Sequence, residues 1–342
     1  MRGRAALFFV AGVAVVLAAV VCGVAFGSTT IAPARVVRVL AARSLPGVFD
    51  AGDIPAGEQA IVWAVRLPRV LVALFVGAGL AVAGAQMQGL FRNPLASPDV
   101  TGASAGAGLG AIVALATGAA ARSIFYLPVA AFAGACLALV IVYLIATQRG
   151  RTPGATLLLA GVATGSLLTA VSSFVITLRT VRYDVAGEIV FWLLGGLDSR
   201  TWTHVAIAAP VCVVGCLVAL AYSRELDLLT GGEAAAFALG VEVERVKRVL
   251  LADAALLTGA AVAVSGVIGF VGLIVPHIAR RFVGPAHRRL IPASALSGAA
   301  FLVLADLFAR TINRPEEVRL GIITAACGAP FFLYLLVRER AG

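Results

Sequence analysis

The sequence predicts an all-α membrane protein of about ten transmembrane helices with an inverted internal repeat. Three observations carry this. Of 342 residues, 61% are hydrophobic and only 13% charged, where a soluble domain carries roughly 25% charged residues. The mean hydropathy is +1.02, and too few polar side chains exist to cover a soluble surface of this size. Apolar runs of about 20 residues, enough to cross a bilayer, recur along the whole chain, which reads as a single transmembrane domain over 1–342.

The spans fall near 5–28, 67–91, 103–118, 124–147, 155–178, 202–222, 249–267, 268–282, 291–312 and 319–337. Arg2 and Arg4 precede the first run, which suits an uncleaved spanning helix better than a signal peptide. The third and eighth spans are short and Gly-rich, a type that survives in a bilayer only when buried among other helices. With the N-terminus inside, ten crossings return the C-terminus inside. The positive-inside bias is weak overall and firm where loops are short, at Arg149/Arg151, Arg280/Arg281 and Arg288/Arg289.

Gly77–Gly84 reads GAGLAVAG and Gly259–Gly266 reads GAAVAVSG. Pro94 and Pro276 keep the same offset, and GASAGAGLGA (102–111) resembles PASALSGAA (292–300) after a small insertion. The first copy starts on a helix running inward and the second on one running outward, an architecture that transporters use. The net charge of +10 comes almost wholly from arginine, Lys247 being the one lysine. In a membrane protein such an excess belongs to loops beside the bilayer rather than to nucleic-acid binding. Five cysteines sit inside apolar runs without metal spacing and three histidines are scattered, so neither a metal nor a cofactor is expected.

Four features carry function. The loop of about 223–248 contains GEAAAFALG. Thr230 or Gly231 can cap a short helix, Glu233 suits its positive end, Ala234 and Ala235 are strong helix formers, and Gly240 stops it. A short smooth helix projecting from a membrane fits a groove on a soluble partner. Second, no Gly-x-x-x-x-Gly-Lys-Ser/Thr loop exists, so any ATPase activity belongs to a partner subunit. Third, Arg66, Arg69 and Arg310 end helices on the outer face, where they either snorkel to headgroups or offer bidentate forks to carboxylates of an acidic docking protein. Fourth, Asn93-Pro94-Leu95 is either a helix-ending turn or a gate. Asp99, Asp253 and Asp306 are the candidates for the proton relay that a rival, an ion-driven secondary transporter, requires; capping or pairing with nearby Arg suits them better.

The runs RLPR (66–69), GAGLAVAGAQMQ (77–88), NPLASPDVTGASAGAG (93–108), LLLAGVATG (157–165), GEAAAFALGV (232–241), GVIGFVGLIVPHIARRFVG (266–284) and GIITAACGAPFFLYLL (321–336) together resemble the FecCD family of type II ABC importer permeases, which includes the vitamin B12 permease. The resemblance implies a B12 permease-like fold in a multi-pass protein of the inner membrane. It implies a homodimer, a dimer of ATP-binding subunits docked on the EAA-like helix, and a periplasmic or lipoprotein substrate-binding protein facing Arg66, Arg69 and Arg310. It further implies a cytoplasmic gate at Asn93 and Leu95 with Gly154 and Ala155, the last two smaller and less polar than their B12-permease counterparts. The phrase 93–99 is similar to ferric-siderophore members, where haem and B12 members tend to carry Gly in place of Asp99. The implied cargo is therefore an iron chelate first, haem second and vitamin B12 third.

Overall fold

The computed structural model describes residues 2–27, 29–148, 151–179, 183–314 and 316–340, and among these the chain is helical with no β-sheet. Arg149 lies outside the described residues. The order is α1 (Arg2–Ala25), α2 (Pro33–Ser44), α3 (Ala56–Ala60), a π-helical turn at Ile61–Arg66, α4 (Leu67–Leu90), α5 (Ala103–Ala116), α6 (Tyr126–Ala146), α7 (Gly154–Arg179) and α8 (Tyr183–Leu193). Then follow α9 (Trp202–Ala221), α10 (Ser223–Thr230), α11 (Glu233–Ala238), α12 (Val243–Ser265), α13 (Val271–Val283), α14 (His287–Thr311) and α15 (Leu320–Arg340).

Each of the ten predicted spans is a helix: α1, α4, α5, α6, α7, α9, α12, α13, α14 and α15. Seven are long and apolar enough to cross a membrane, α5 and α13 are shorter at 14 and 13 residues, and the apolar stretch within α15 is Leu320–Tyr334. Two boundaries differ for physical reasons. The second span runs on from Ala56 as one 35-residue helix; Pro68 has no N–H to donate one turn back, and the chain takes the wider π register just before it. The seventh starts at Val243, six residues early, because the polar turn VERVKRV continues the helix beyond the apolar stretch. Helix α8 is not among the predicted spans, since eleven residues cannot cross a bilayer.

Burial sorts the helices. The apolar windows of α4 and α12 are 83% and 78% buried inside the chain, whereas those of α1 and α7 are 17% and 22%. A buried helix must approach its neighbours closely, and the Gly/Ala run of α4 permits it. A methyl placed on Gly77 meets the Gly298 carbonyl of α14 and lies 2.7 Å from Leu302 Cβ; one on Gly298 lies 2.6 Å from Ala81 Cβ. Gly106 of α5 and Gly134 of α6 form a second reciprocal contact, a methyl on Gly106 lying 2.6 Å from Ala138 Cβ.

The packing repeats as the inverted repeat requires. Helix α4 lies along α14 as α12 lies along α6, and α5 packs on α6 as α13 packs on α14. The register beyond the first matched pair is corrected. The counterpart of α14 is α6, not α5: PVAAFAGA (128–135) and PASALSGA (292–299) align Pro with Pro and contact glycine with contact glycine. Pro94 and Pro276 are not equivalent either, since Pro94 lies in the turn before α5 and Pro276 inside α13. Ala/Gly-rich helices share composition at many offsets; packing selects one.

Candidate functional site: the two ends of the bundle

At the end opposite α11, the expected outward arginines turn inward. The last carbonyls of any helix lack partners within it. Arg66, on the π turn, donates to the Val24 and Ala25 carbonyls of α1 at 3.0 and 2.9 Å, and to the carbonyl and hydroxyl of Thr29. Arg310 donates to the Gly23 carbonyl at 2.9 Å and pairs with Asp306 at 3.0 Å. Both arginines are 5% exposed, so they cap α1, a favourable place for a cation. Arg69 grips Asp306 through two nitrogens at 3.0 and 2.8 Å and also reaches Asp198 at 3.2 Å and Glu317 at 2.8 Å. The three therefore do not present forks to a partner here: their donors are spent on carbonyls and carboxylates of the same chain. Arg35, Arg38, Arg43, Arg122 and Arg314 are exposed at this end, the first two in ion pairs with Glu58 and Asp53.

Asp306 pairs with arginine, as its position at a helix end predicts. Asp253 does not: it accepts a 2.6 Å hydrogen bond from Gln86 of α4. Asp99 accepts from Ser104. The sequence did not reveal Asp198 and Glu317 as Arg69 partners, because loops 129 and 248 residues away carry no periodicity linking them to α4.

At the α11 end, Gly232 with φ +111° opens α11 in place of Thr230 or Gly231, and Gly240 with φ +85° terminates it as expected. The Gly240 amide donates to the Phe237 carbonyl and that of Val241 to the Ala236 carbonyl, a left-handed glycine stop. Ala234 and Ala235 face outward and Ala236 is buried. Phe237 and Leu239, which the Ala pattern hid, are 75% and 66% exposed. Clefts of about 370 and 700 Å³ flank the helix, one beside Tyr222 and Arg245, the other beside Arg151 and Phe237. Glu233 is not free at the helix start: its carboxylate is 2.7 Å from Lys247 Nζ.

Of the predicted gate residues, Asn93 and Leu95 bond to each other, and Gly154 lies against Phe91 just before them. Asn93 Oδ1 accepts from the Leu95 amide at 2.9 Å, so Asn93 closes its own turn. The start of α7 packs on that turn: a methyl on Gly154 lies 3.5 Å from the Phe91 ring. Ala155 is exposed beside it. Between α5 and α7 a cleft of about 700 Å³ is lined by Asp99, Ser104, Gly108, Gly165, Ser166 and Thr169. Asp99 is reachable from this cleft yet set deep among protein atoms, and that desolvation raises its carboxyl above the usual range.

Against known proteins, a model of the FecCD transport family matches residues 15–338. The chain is 51% identical over 291 residues to the cobalamin import system permease protein BtuC of Halobacterium salinarum, covering 84% of this chain and 76% of that protein. It is 42% identical to the Fe(3+) dicitrate transport system permease protein FecD of Escherichia coli, covering 80% and 84%. It is 41% identical to the hemin transport system permease protein HmuU of Yersinia pestis, covering 81% and 83%. A solved structure described as an inward-facing conformation of a metal-chelate type ABC transporter superposes with a TM-score of 0.84 at 30% identity, covering 97% of this chain and 99% of that one. The chain belongs to the FecCD transport family and is a multi-pass permease of the type II ABC-importer kind in the cell's inner (plasma) membrane.

Proposed function

We propose that two copies of this chain enclose a pathway for a metal–organic chelate, moved inward by separate ATP-binding subunits seated on α11 and delivered by a substrate-binding protein at the opposite end. One observation carries the reading. Helix α7 is largely unburied, and on it and α5 small polar residues, Ser104, Ser166 and Thr169, line an open cleft. Polar groups facing hydrocarbon are costly, so such a face belongs against water or another protein. A second copy across the cleft encloses it.

The two clefts beside α11 and its exposed Phe237 support an ATPase subunit as the occupant there. Exposed Arg43, Arg122 and Arg314 supply the positive charge for an acidic binding protein, while Arg66, Arg69 and Arg310 hold the surface that carries them. Within the chelate class, Asp99 on the cleft supports a ferric chelate, haem standing next. A second reading, cobalamin, is favoured by the 51% identity to a permease of that name. Uptake into vesicles holding permease, ATPase and binding protein, measured with a ferric siderophore, haem and cobalamin in parallel, decides the cargo. ATP-dependent uptake of none of the three, by a complex that hydrolyses ATP, refutes the chelate reading.

A further inference from the structure

We propose that Lys247 is a positioning residue that transmits movement of α11 to the start of α7. The inference rests on the proposed seating of an ATPase subunit at α11. Lys247 is the chain's one lysine and is 4% exposed. An ammonium has three donors and no acceptor. All three find partners on three different elements: Glu233 of α11 at 2.7 Å, Glu244 of α12 at 3.2 Å, and the carbonyl of Thr152 at 3.0 Å. The second oxygen of Glu244 accepts from the Thr152 amide at 3.2 Å, so both backbone groups of Thr152 are held by α12.

Thr152 stands two residues before α7, beside Arg151, which exchanges backbone hydrogen bonds with Gln148. It is 1% exposed, and its hydroxyl pairs with that of Thr147 at 2.9 Å. Side-chain packing ties the segment to α11 only through Ala236, because α11 is six residues long and its other five residues are exposed. The ammonium is the short mechanical link. From Thr152 the contact continues: Gly154 lies against Phe91, next to the Asn93 turn. A displacement of α11 therefore reaches both gate elements through one tetrahedral donor.

The test uses the whole complex in proteoliposomes and reads cargo transported per ATP hydrolysed, together with co-purification of the ATPase subunit. Lys247→Met keeps length and volume and removes the donors. The expected result is a loss of about fivefold or more in transport per ATP, within the range of measured coupling energies, with the ATPase subunit still bound and its hydrolysis retained. A purely structural role lowers transport and hydrolysis together and leaves their ratio unchanged. Lys247→Arg is expected to rescue poorly, since a planar fork does not fit three acceptors arranged around a point. Transport per ATP within twofold of the parent overturns the proposal. If Lys247→Met does not assemble, Glu233→Ala, which removes the Lys247 acceptor on α11 and leaves Lys247 on Glu244 and Thr152, must lower the same ratio; an unchanged ratio overturns it equally. Failure of the unaltered chain to bind any ATPase subunit is a different result, and it refutes the proposed function instead.

Discussion

Replacing Asp306 by Asn tests whether the end opposite α11 is braced from within. Asp306 is 1% exposed and accepts three charge-assisted hydrogen bonds, two from Arg69 and one from Arg310. Asn keeps the shape but offers one acceptor and aims an NH₂ at guanidinium donors. Breaking a buried pair by removing one partner costs about 3–5 kcal/mol, mostly from the stranded charge. Arg69 retains Asp198 and Glu317 on its wetter side, which places the expectation near the lower bound, about 3 kcal/mol. Glu317→Gln is the control, because that carboxylate is 35% exposed and pairs of this kind contribute at most about 1 kcal/mol. Equilibrium unfolding in detergent, followed by tryptophan fluorescence, ranks the two. A loss for Asp306→Asn no larger than that for Glu317→Gln refutes the bracing argument.

Three other outcomes follow. Gly298→Ala puts a methyl 2.6 Å from Ala81 Cβ and into the Gly77 carbonyl, so a loss of about 1–3 kcal/mol is expected from overpacking; unchanged thermal stability in detergent contradicts the close-contact reading. Phe237→Asp is expected to abolish co-purification of the ATPase subunit, and intact association removes α11's apolar face as the contact. Asp53, on the loop after α2, is held below the usual carboxylate range by hydrogen bonds from Arg38. A carboxyl lowered on folding adds stability above its unfolded value and loses it as pH falls through the folded one. Hydrogen-exchange protection of the 50–54 loop, relative to intrinsic exchange at each pH, should therefore fall below about pH 4, and Asp53→Asn should remove that step.

The helices were legible because a bilayer demands long apolar runs, and composition alone located ten. The repeat was half legible. GAGLAVAG and GAAVAVSG identify α4 and α12, but Ala/Gly composition matches α14 to α5 as readily as to α6; the packing of α4 on α14 and of α12 on α6 sets the register. Gly240 was readable as a stop because its chemistry is local. Side-chain destinations were not readable. Arg66 and Arg310 looked like helix-end cations facing outward; that they cap α1 depends on where a helix more than 40 residues away terminates. Glu233 looked like a helix-start carboxylate and is one, but its partner Lys247 lies on the next helix. Local rules placed the elements, and long-range geometry assigned the charges.

The two ends differ in how their cations hold the chain, and that difference bears on where the molecule can move. A guanidinium fixes orientation as well as distance, because its donors lie in one rigid plane. Arg66, Arg69 and Arg310 together bind α1, α4, α14 and the loops bearing Asp198 and Glu317 in this manner, so rotation of any one element breaks several bonds at once. Lys247 fixes distance only. Its ammonium turns on a flexible stem, and two of its acceptors are carboxylates with access to water, 45% and 29% exposed, which rehydrate at little cost if one bond opens. Elements joined by a single tetrahedral donor can pivot about it while staying connected. On the proposed role of Lys247, the end opposite α11 is braced and the α11 end pivots, so a force applied to α11 bends the chain where α7 and the Asn93 turn begin.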